Sequence, residues 1–169
     1  MARPKKIMTL NSLLKYRIET NQSISKYKGK SKEYYFTNKL EKDLENILKE
    51  LGYRVIKITK EFKLLKGICD FLCELENGEY LIIECKVSSD IKYESDDLKF
   101  SFAIGQLLTY RNSLLLQYEV PKEKIHLLLI TDKDSLFTLS VIGSENLDIS
   151  YMTYENGEVK YYGKERESW

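Results

Sequence analysis

Long apolar runs are absent from this sequence of 169 residues. No window approaches 18 consecutive apolar residues, as a membrane-spanning helix requires, and the first six residues lack the apolar stretch of a secretory signal. His126 is the only histidine and lies in an apolar segment, so histidine-based zinc or triad chemistry has no support. The three cysteines (Cys69, Cys73, Cys85) lie in apolar runs, which favours reduced core thiols over disulfides. We therefore expect a cytoplasmic protein without a membrane partner, located in the host cell if the gene is viral.

Charge is unevenly distributed, although the net charge is only +1. Residues 1–32 hold nine Lys or Arg and a single acid, whereas the rest of the chain holds 18 basic and 25 acidic residues. A basic arm of this kind can contact phosphates and release counterions, and an acidic body attracts divalent cations. A solvated terminus without a partner is the plainer alternative. If the arm binds nucleic acid, its contacts are expected from Lys5, Lys6, Lys28 and Lys30.

The first half of the chain predicts one helix and three strands. Tyr34 to Leu51 carries apolar residues at helical spacing and ends at Gly52, a common residue just after a helix. Strands are predicted over Tyr53 to Ile58, Ile68 to Leu75 and Tyr80 to Val87. Asn77-Gly78 separates the last two strands, which is a strong hairpin signal.

The second half predicts another helix and further strands. Phe100 to Leu116 fits helical spacing better than strand alternation, and Lys124 to Thr131 is typical of a buried strand. Leu136 to Ile142 is predicted as a strand, and Ile149 to Tyr162 as a hairpin around Asn156-Gly157. The length suits a single core. The sequence therefore predicts one domain over 33–169, with an α-β-β-β-α-β core at 34–131 and C-terminal β additions at 134–162.

Three Glu-x-Lys tripeptides occur in the sequence, and their number alone means little. With 18 Glu and 22 Lys in 169 residues, roughly two are expected by chance. They are Glu61-Phe62-Lys63, Glu84-Cys85-Lys86 and Glu158-Val159-Lys160. Only the middle one ends a strongly apolar run, Tyr80 to Ile83, where charged groups cost free energy unless something compensates them.

Strand geometry gives the middle tripeptide a chemical meaning. Side chains at i and i+2 share a face of a strand, so Glu84 and Lys86 emerge together. Pairing across the predicted hairpin brings Asp70 beside Glu84. Two carboxylates with backbone carbonyls and water suit Mg²⁺ or Mn²⁺, and such an ion polarises a phosphate and activates water beside a lysine. A salt-bridged structural cluster is the alternative, although a bare ion pair in a β core contributes little stability.

The residues Gly67-Ile68-Cys69-Asp70, followed 14 positions after Asp70 by Glu84-Cys85-Lys86, resemble the PD-(D/E)XK superfamily of restriction-endonuclease-like nucleases. Holliday-junction-resolvase-like and RecB-type members, among small archaeal or viral nucleases, are the most similar in character. The resemblance implies an α/β fold with a mixed central sheet flanked by helices, here with an added C-terminal β-hairpin. It also implies that Asp70, Glu84 and the Cys85 carbonyl bind Mg²⁺, with Mn²⁺ as a substitute, and that Lys86 serves the attacking water. Cys69 departs from the signature, which has proline there.

Two helices extend the resemblance beyond the strands. Glu41, in the first predicted helix, matches the position of a glutamate that often faces the site in the superfamily, and Glu45 is the second choice. Gln106 to Tyr110 resembles the QxxxY element of RecB-type members, in which the glutamine supports the site and the tyrosine contacts nucleic acid. Gln106 and Tyr110 lie one turn apart on one helix face. An ordinary core role for Tyr110 is the alternative.

The sequence therefore predicts a divalent-metal-dependent DNA endonuclease. Similar superfamily members act as homodimers, so a homodimer is expected. Two alternatives stay open: a nucleic-acid-binding or assembly protein that keeps the fold without cleavage, and an RNA nuclease, because nothing in the sequence distinguishes the 2′-hydroxyl.

Overall fold

A six-stranded mixed sheet with helices on both faces forms the body of the protein. The computed structural model describes residues 31–89 and 95–163. Helix α1 is followed by three strands, helix α2 by one strand, and helix α3 by the C-terminal hairpin. The elements are α1 (Lys32–Glu50), β1 (Val55–Lys63), β2 (Ile68–Leu75), β3 (Tyr80–Lys86), α2 (Asp96–Tyr118), a 3₁₀ turn (Lys122–Lys124), β4 (Ile125–Thr131), α3 (Leu136–Ser144), β5 (Ser150–Glu155) and β6 (Glu158–Tyr162).

The strands lie in sequence order across the sheet. β1, β2 and β3 are antiparallel neighbours, and β5 and β6 form an antiparallel hairpin. β4 runs parallel to both β3 and β5. This arrangement confirms the predicted mixed sheet, the α-β-β-β-α-β order and the hairpin around Asn156-Gly157.

Helix α1 covers one face of the sheet. Ser31 caps its start by accepting a hydrogen bond from the Tyr34 N–H at 3.1 Å. A buried stripe at spacings of three and four residues faces the sheet: Thr37, Leu40, Leu44, Ile47 and Leu48. It packs against alternate residues of the central strands, among them Phe71, Cys73, Leu81, Ile83 and Cys85. The three cysteines are buried and form no disulfide with one another, as predicted.

Helices α2 and α3 cover the other face. Phe100, Leu107 and Leu114 of α2 are fully buried, and Leu107 and Leu114 share an apolar cluster with Ile142 of α3. Leu72 and Ile82, which are paired across β2 and β3, point into this cluster. The odd and even residues of β3 from Leu81 to Ile83 therefore serve two separate cores, and its charged residues, Glu84 and Lys86, lie toward its end.

The strand predicted over Leu136 to Ile142 is wrong, because these residues form helix α3. Ser135 caps that helix by accepting a hydrogen bond from the Thr138 N–H at 3.1 Å. β4 and β5 are parallel, and parallel neighbours need a crossover connection, usually a helix. A seven-residue apolar run does not by itself distinguish a strand from a buried helix. The β additions predicted over 134–162 are thus a helix followed by a hairpin.

Other predicted boundaries shift by a few residues. β1 ends at Lys63 rather than Ile58, and α1 begins at Lys32 rather than Tyr34. The remainder of the arm, including Lys5, Lys6, Lys28 and Lys30, lies outside the described residues. Within the described ranges, none of the helices has the length and apolar character that spanning a membrane demands.

Candidate active site

Asp70 and Glu84 lie on the neighbouring strands β2 and β3, just beyond the last recorded pair of these strands. That pair is Phe71 with Ile83, which are adjacent in sequence to Asp70 and Glu84. Asp70 Oδ2 accepts a hydrogen bond of 2.7 Å from the backbone N–H of Cys85, the residue after Glu84. Asp70 is 1% exposed and Glu84 is fully buried. The structure therefore buries both carboxylates on neighbouring strands and places that of Asp70 at the backbone of Cys85, next to Glu84; their convergence on one metal ion stays a prediction.

Tyr110 of α2 holds Glu84 from the opposite side. Its hydroxyl lies 3.3 Å from Glu84 Oε2 and 3.2 Å from the carbonyl oxygen of Ile68. The ring fits closely over Gly67, since a Cβ at that position would lie 2.9 Å from Tyr110 Cε1. Gly67 also has a φ of +89°, so both space and backbone conformation favour glycine there. This buried placement favours a role in supporting Glu84; the contact with nucleic acid stays a prediction.

Lys86 extends from the end of β3 toward the start of α1. Its Nζ lies 4.0 Å from Glu33 Oε1, and both side chains are mostly buried, at 16% and 20% exposure. Because Glu33 is in the first turn of α1, the helix supplies a third carboxylate beside the lysine. Glu33 was not predicted from the sequence. The sequence feature that could have identified Glu33 is helical spacing. Glu33 precedes Thr37, the first buried residue of α1, by four positions and so lies on the same side of the helix.

Glu41, the predicted helical glutamate, lies elsewhere on α1. It forms an ion pair of 3.0 Å with Lys60 of β1, and its side chain is half exposed. Lys60 also donates to the side-chain oxygen of Asn38. Eight residues separate Glu33 from Glu41, which is about 12 Å along a helix. The structure therefore favours Glu33 over Glu41 as the glutamate at the site.

Gln106 lies one turn before Tyr110 on α2. Its side-chain oxygen Oε1 is buried and has no hydrogen-bond partner among the described residues. Burial of an amide oxygen without a hydrogen bond costs free energy. A water molecule or a ligand is therefore the expected donor to this oxygen. The role of Gln106 beside the carboxylates stays a prediction.

The loop after β3 is fixed to the end of β4. Ser88 donates its backbone N–H and its hydroxyl to the two oxygens of Asp132, at 2.7 and 2.6 Å. Lys32 donates to the Ser88 carbonyl at 3.0 Å and lies 3.9 Å from Asp132. Since Lys32 precedes Glu33 and Ser88 follows Lys86 by two residues, this network holds the Glu33 and Lys86 backbones together.

The donor set of the site fits a hard divalent cation. Two buried carboxylates in one place are unfavourable without positive charge, and carboxylate oxygens are the preferred ligands of Mg²⁺ and Mn²⁺. Across residues 31–89 and 95–163, no group of three or more His, Cys, Asp or Glu side chains could hold a metal ion. Asp70 and Glu84 would therefore need the Cys85 carbonyl and water to complete the coordination, which suits Mg²⁺ because it keeps several waters.

His126 takes no part in this site. Its Nε2 lies 2.9 Å from Glu79 Oε2. His126 follows the first residue of β4 and Glu79 precedes β3, so the pair lies at the opposite ends of these strands from Lys86. The expectation of an ordinary structural histidine agrees with this contact.

Comparisons with solved structures identify the fold. EndoMS in complex with double-stranded DNA superimposes with a TM-score of 0.51 and 18% identity, over 80% of this chain and 50% of EndoMS. A repair endonuclease from Pyrococcus abyssi gives 0.49 and 19%, over 78% of this chain and 50% of that one. An XisH family protein from Nostoc punctiforme gives 0.47 and 17%, over 73% and 98%. The chain thus spans about half the length of EndoMS and of the repair endonuclease.

No protein-family model matches the sequence, and no curated protein is significantly similar to it. The likeness to EndoMS therefore concerns the fold. Together with the strand order, it shows that the chain has the restriction-endonuclease-like fold that the sequence predicted.

Proposed function

We propose that this protein is a divalent-metal-dependent nuclease that hydrolyses phosphodiester bonds. One observation carries the proposal: Asp70 and Glu84 are buried together at the end of the β2–β3 hairpin, with Lys86 emerging beside them, in a fold of this nuclease type. Buried carboxylates that only stabilise a fold are unusual, because their desolvation cost is rarely recovered from a partner lysine.

Asp70, Glu84 and the Cys85 carbonyl would hold Mg²⁺, with Mn²⁺ as a substitute. When bound, such an ion polarises the scissile phosphate and lowers the pKa of a water molecule. The Cys85 N–H fixes the Asp70 carboxylate, and the Tyr110 hydroxyl fixes that of Glu84. These contacts hold both carboxylates in place before substrate binds. Electrostatic catalysis benefits because the groups need no rearrangement during the reaction.

Lys86 is the residue that we expect to act on the attacking water. Its ammonium form would orient that water by hydrogen bonding or offset the charge that develops on the phosphate; only the neutral amine form would accept the proton of the water. Glu33, at 4.0 Å, keeps the lysine directed toward α1. Gln106 would use its buried amide oxygen to accept a hydrogen bond from water at the site.

DNA is the substrate that we propose. EndoMS, which shares the fold, is known in complex with double-stranded DNA. The basic arm supports the same partner, because clustered lysines bind phosphates irrespective of sequence. A homodimer would place two such sites on the two strands of a duplex, and endonuclease activity is the corresponding expectation.

The test is incubation of the purified full chain with labelled linear duplex, closed circular, junction, single-stranded and RNA substrates, with and without Mg²⁺. We expect Mg²⁺-dependent cleavage of DNA, including closed circles, by the wild type. Glu84→Gln and Asp70→Asn should be silent. The tripeptide at Glu158 and Lys160 of β6 supplies matched controls, and Glu158→Gln should cleave like the wild type.

Two outcomes would contradict the proposal. Binding of DNA without cleavage would indicate a nucleic-acid-binding or assembly protein that keeps only the fold. Equal cleavage by wild type and Glu84→Gln would show that the activity arises elsewhere. Preferential cleavage of RNA would retain the site and change the substrate.

A further inference from the structure

A residue in a left-handed backbone conformation lies across the sheet from Asp70. The β1–β2 register pairs Lys60 with Phe71 and Phe62 with Cys69, so these two pairs bracket Glu61 and Asp70. Glu61 has a φ of +52°. This region is disfavoured for residues with a Cβ, and such outliers persist mainly where the surrounding structure imposes them, often at functional sites.

The conformation of Glu61 reverses the side-chain alternation of β1. In a regular strand, residues two apart share a face. Here Lys60 points to α1, where it contacts Glu41, whereas Phe62 packs on the opposite face with Tyr118, at 6.4 Å between ring centroids. The chain therefore changes faces at Glu61.

β2 shows the same reversal at the facing position. Phe71 belongs to the apolar cluster under α1, whereas Cys69 belongs to the cluster under α2, although regular alternation would place both on one face. The residue between them is Asp70. Its carboxylate extends sideways to β3 and accepts the Cys85 N–H at 2.7 Å, just beyond the last recorded β2–β3 pair.

We infer that the left-handed backbone at Glu61 makes it a positioning residue: it turns β1, and with it the paired β2, so that the Asp70 carboxylate is directed at the Cys85 N–H. The backbone of Glu61 does this work, and its carboxylate does not. Only the expected effect on DNA cleavage rests on the proposed function. The hydrogen bond between the Asp70 carboxylate and the Cys85 N–H can be measured in a protein without activity.

Substitutions of Glu61 can separate the effect of its left-handed backbone conformation from the effect of its carboxylate charge. Glycine and asparagine adopt positive φ readily, so Glu61→Gly and Glu61→Asn keep the turn. Glu61→Gln removes the charge and retains a similar shape. Glu61→Val opposes positive φ through its β-branch. Glu61→Ala is the milder variant if the valine variant does not fold, because alanine has a Cβ without a branch.

The first readout is hydrogen exchange of the Cys85 amide in the metal-free protein, with Asp70→Ala as the reference for a lost acceptor. Protection should be retained in the glycine, asparagine and glutamine variants. It should fall by roughly tenfold or more in the valine variant, toward the Asp70→Ala value, and by a smaller factor in the alanine variant. The second readout is Mg²⁺-dependent cleavage, which should follow the same order.

The inference is overturned if Glu61→Gln loses Cys85 protection or cleavage while Glu61→Val keeps them, since the carboxylate would then be the active element. It is equally overturned if Cys85 protection is unchanged in the valine and alanine variants. If none of the proteins cleaves DNA but Cys85 protection follows the predicted order, the proposed function fails and the positioning role of Glu61 stands.

Discussion

Replacement of Tyr110 by phenylalanine tests how the site holds Glu84. The substitution removes one hydroxyl and leaves the ring, so the packing over Gly67 is retained and no large cavity forms. The hydroxyl has one proton and two acceptors, Glu84 Oε2 at 3.3 Å and the Ile68 carbonyl at 3.2 Å. Both distances are longer than an ideal O–H···O bond. A well-formed bond to a charged acceptor contributes about 1.5–3 kcal/mol, and because these two are long and share one proton we expect less, about 1–1.5 kcal/mol.

That free energy corresponds to roughly a five- to tenfold change in an equilibrium or rate constant. We expect Tyr110→Phe to weaken Mn²⁺ binding and to lower the cleavage rate by about this factor, because the Glu84 carboxylate loses its orienting donor. Isothermal titration with Mn²⁺ and single-turnover cleavage measure the two effects, and urea unfolding reports stability.

Two results would refute this reasoning. If Tyr110 contacts nucleic acid instead, the substitution should raise KM for DNA and leave Mn²⁺ affinity unchanged. A loss as complete as that of Glu84→Gln would show that the hydroxyl takes part in the chemistry itself.

Two further predictions concern charged groups near α1. Glu33→Gln should lower the cleavage rate about fivefold, because a partly buried charge 4.0 Å from Lys86 contributes about 1 kcal/mol, whereas the matched Glu41→Gln should cleave like the wild type. Burial, and then the hydrogen bond to Asp43, raises the pKa of Tyr154 to about 12. Unfolded tyrosine titrates near pH 10. The free energy that the protonated Tyr154 contributes to folding is therefore fully present below about pH 10 and is lost as the pH rises toward 12. The urea midpoint should therefore fall more steeply there for wild type than for Tyr154→Phe.

Each of these two predictions can be contradicted by a specific result. Equal activity of the two glutamine variants would remove Glu33 from the site, and a selective loss in Glu41→Gln would restore the sequence-based assignment. Parallel pH profiles for wild type and Tyr154→Phe would show that the tyrosine titrates alike in the folded and unfolded chains.

The strand part of the site was predictable because strand geometry is local. The Asn77-Gly78 turn sets the hairpin that places Asp70 on the strand next to Glu84. Alternation predicts one face for Glu84 and Lys86, whereas in the structure Glu84 contacts Tyr110 of α2 and Lys86 lies beside Glu33 of α1. Local patterns also gave α1, α2 and the C-terminal hairpin. These features depend on residues a few positions apart, which the sequence shows directly.

The remaining features depend on contacts between distant segments. Helix α3 forms because β4 and β5 are parallel and need a crossover, which the apolar run from Leu136 does not reveal. Glu33 reaches Lys86 only because Lys32 is anchored to the loop after β3. The conformation of Glu61 is likewise visible only in three dimensions, since glutamate gives no sequence signal for positive φ.

The most direct test of the central claim is an anomalous diffraction map from crystals soaked in Mn²⁺. Our account predicts one peak within bonding distance of a carboxylate oxygen of Asp70 and one of Glu84, with the Cys85 carbonyl as a further ligand. The peak should be missing in Glu84→Gln. A fully occupied Mn²⁺ elsewhere, with none between Asp70 and Glu84, would contradict the account.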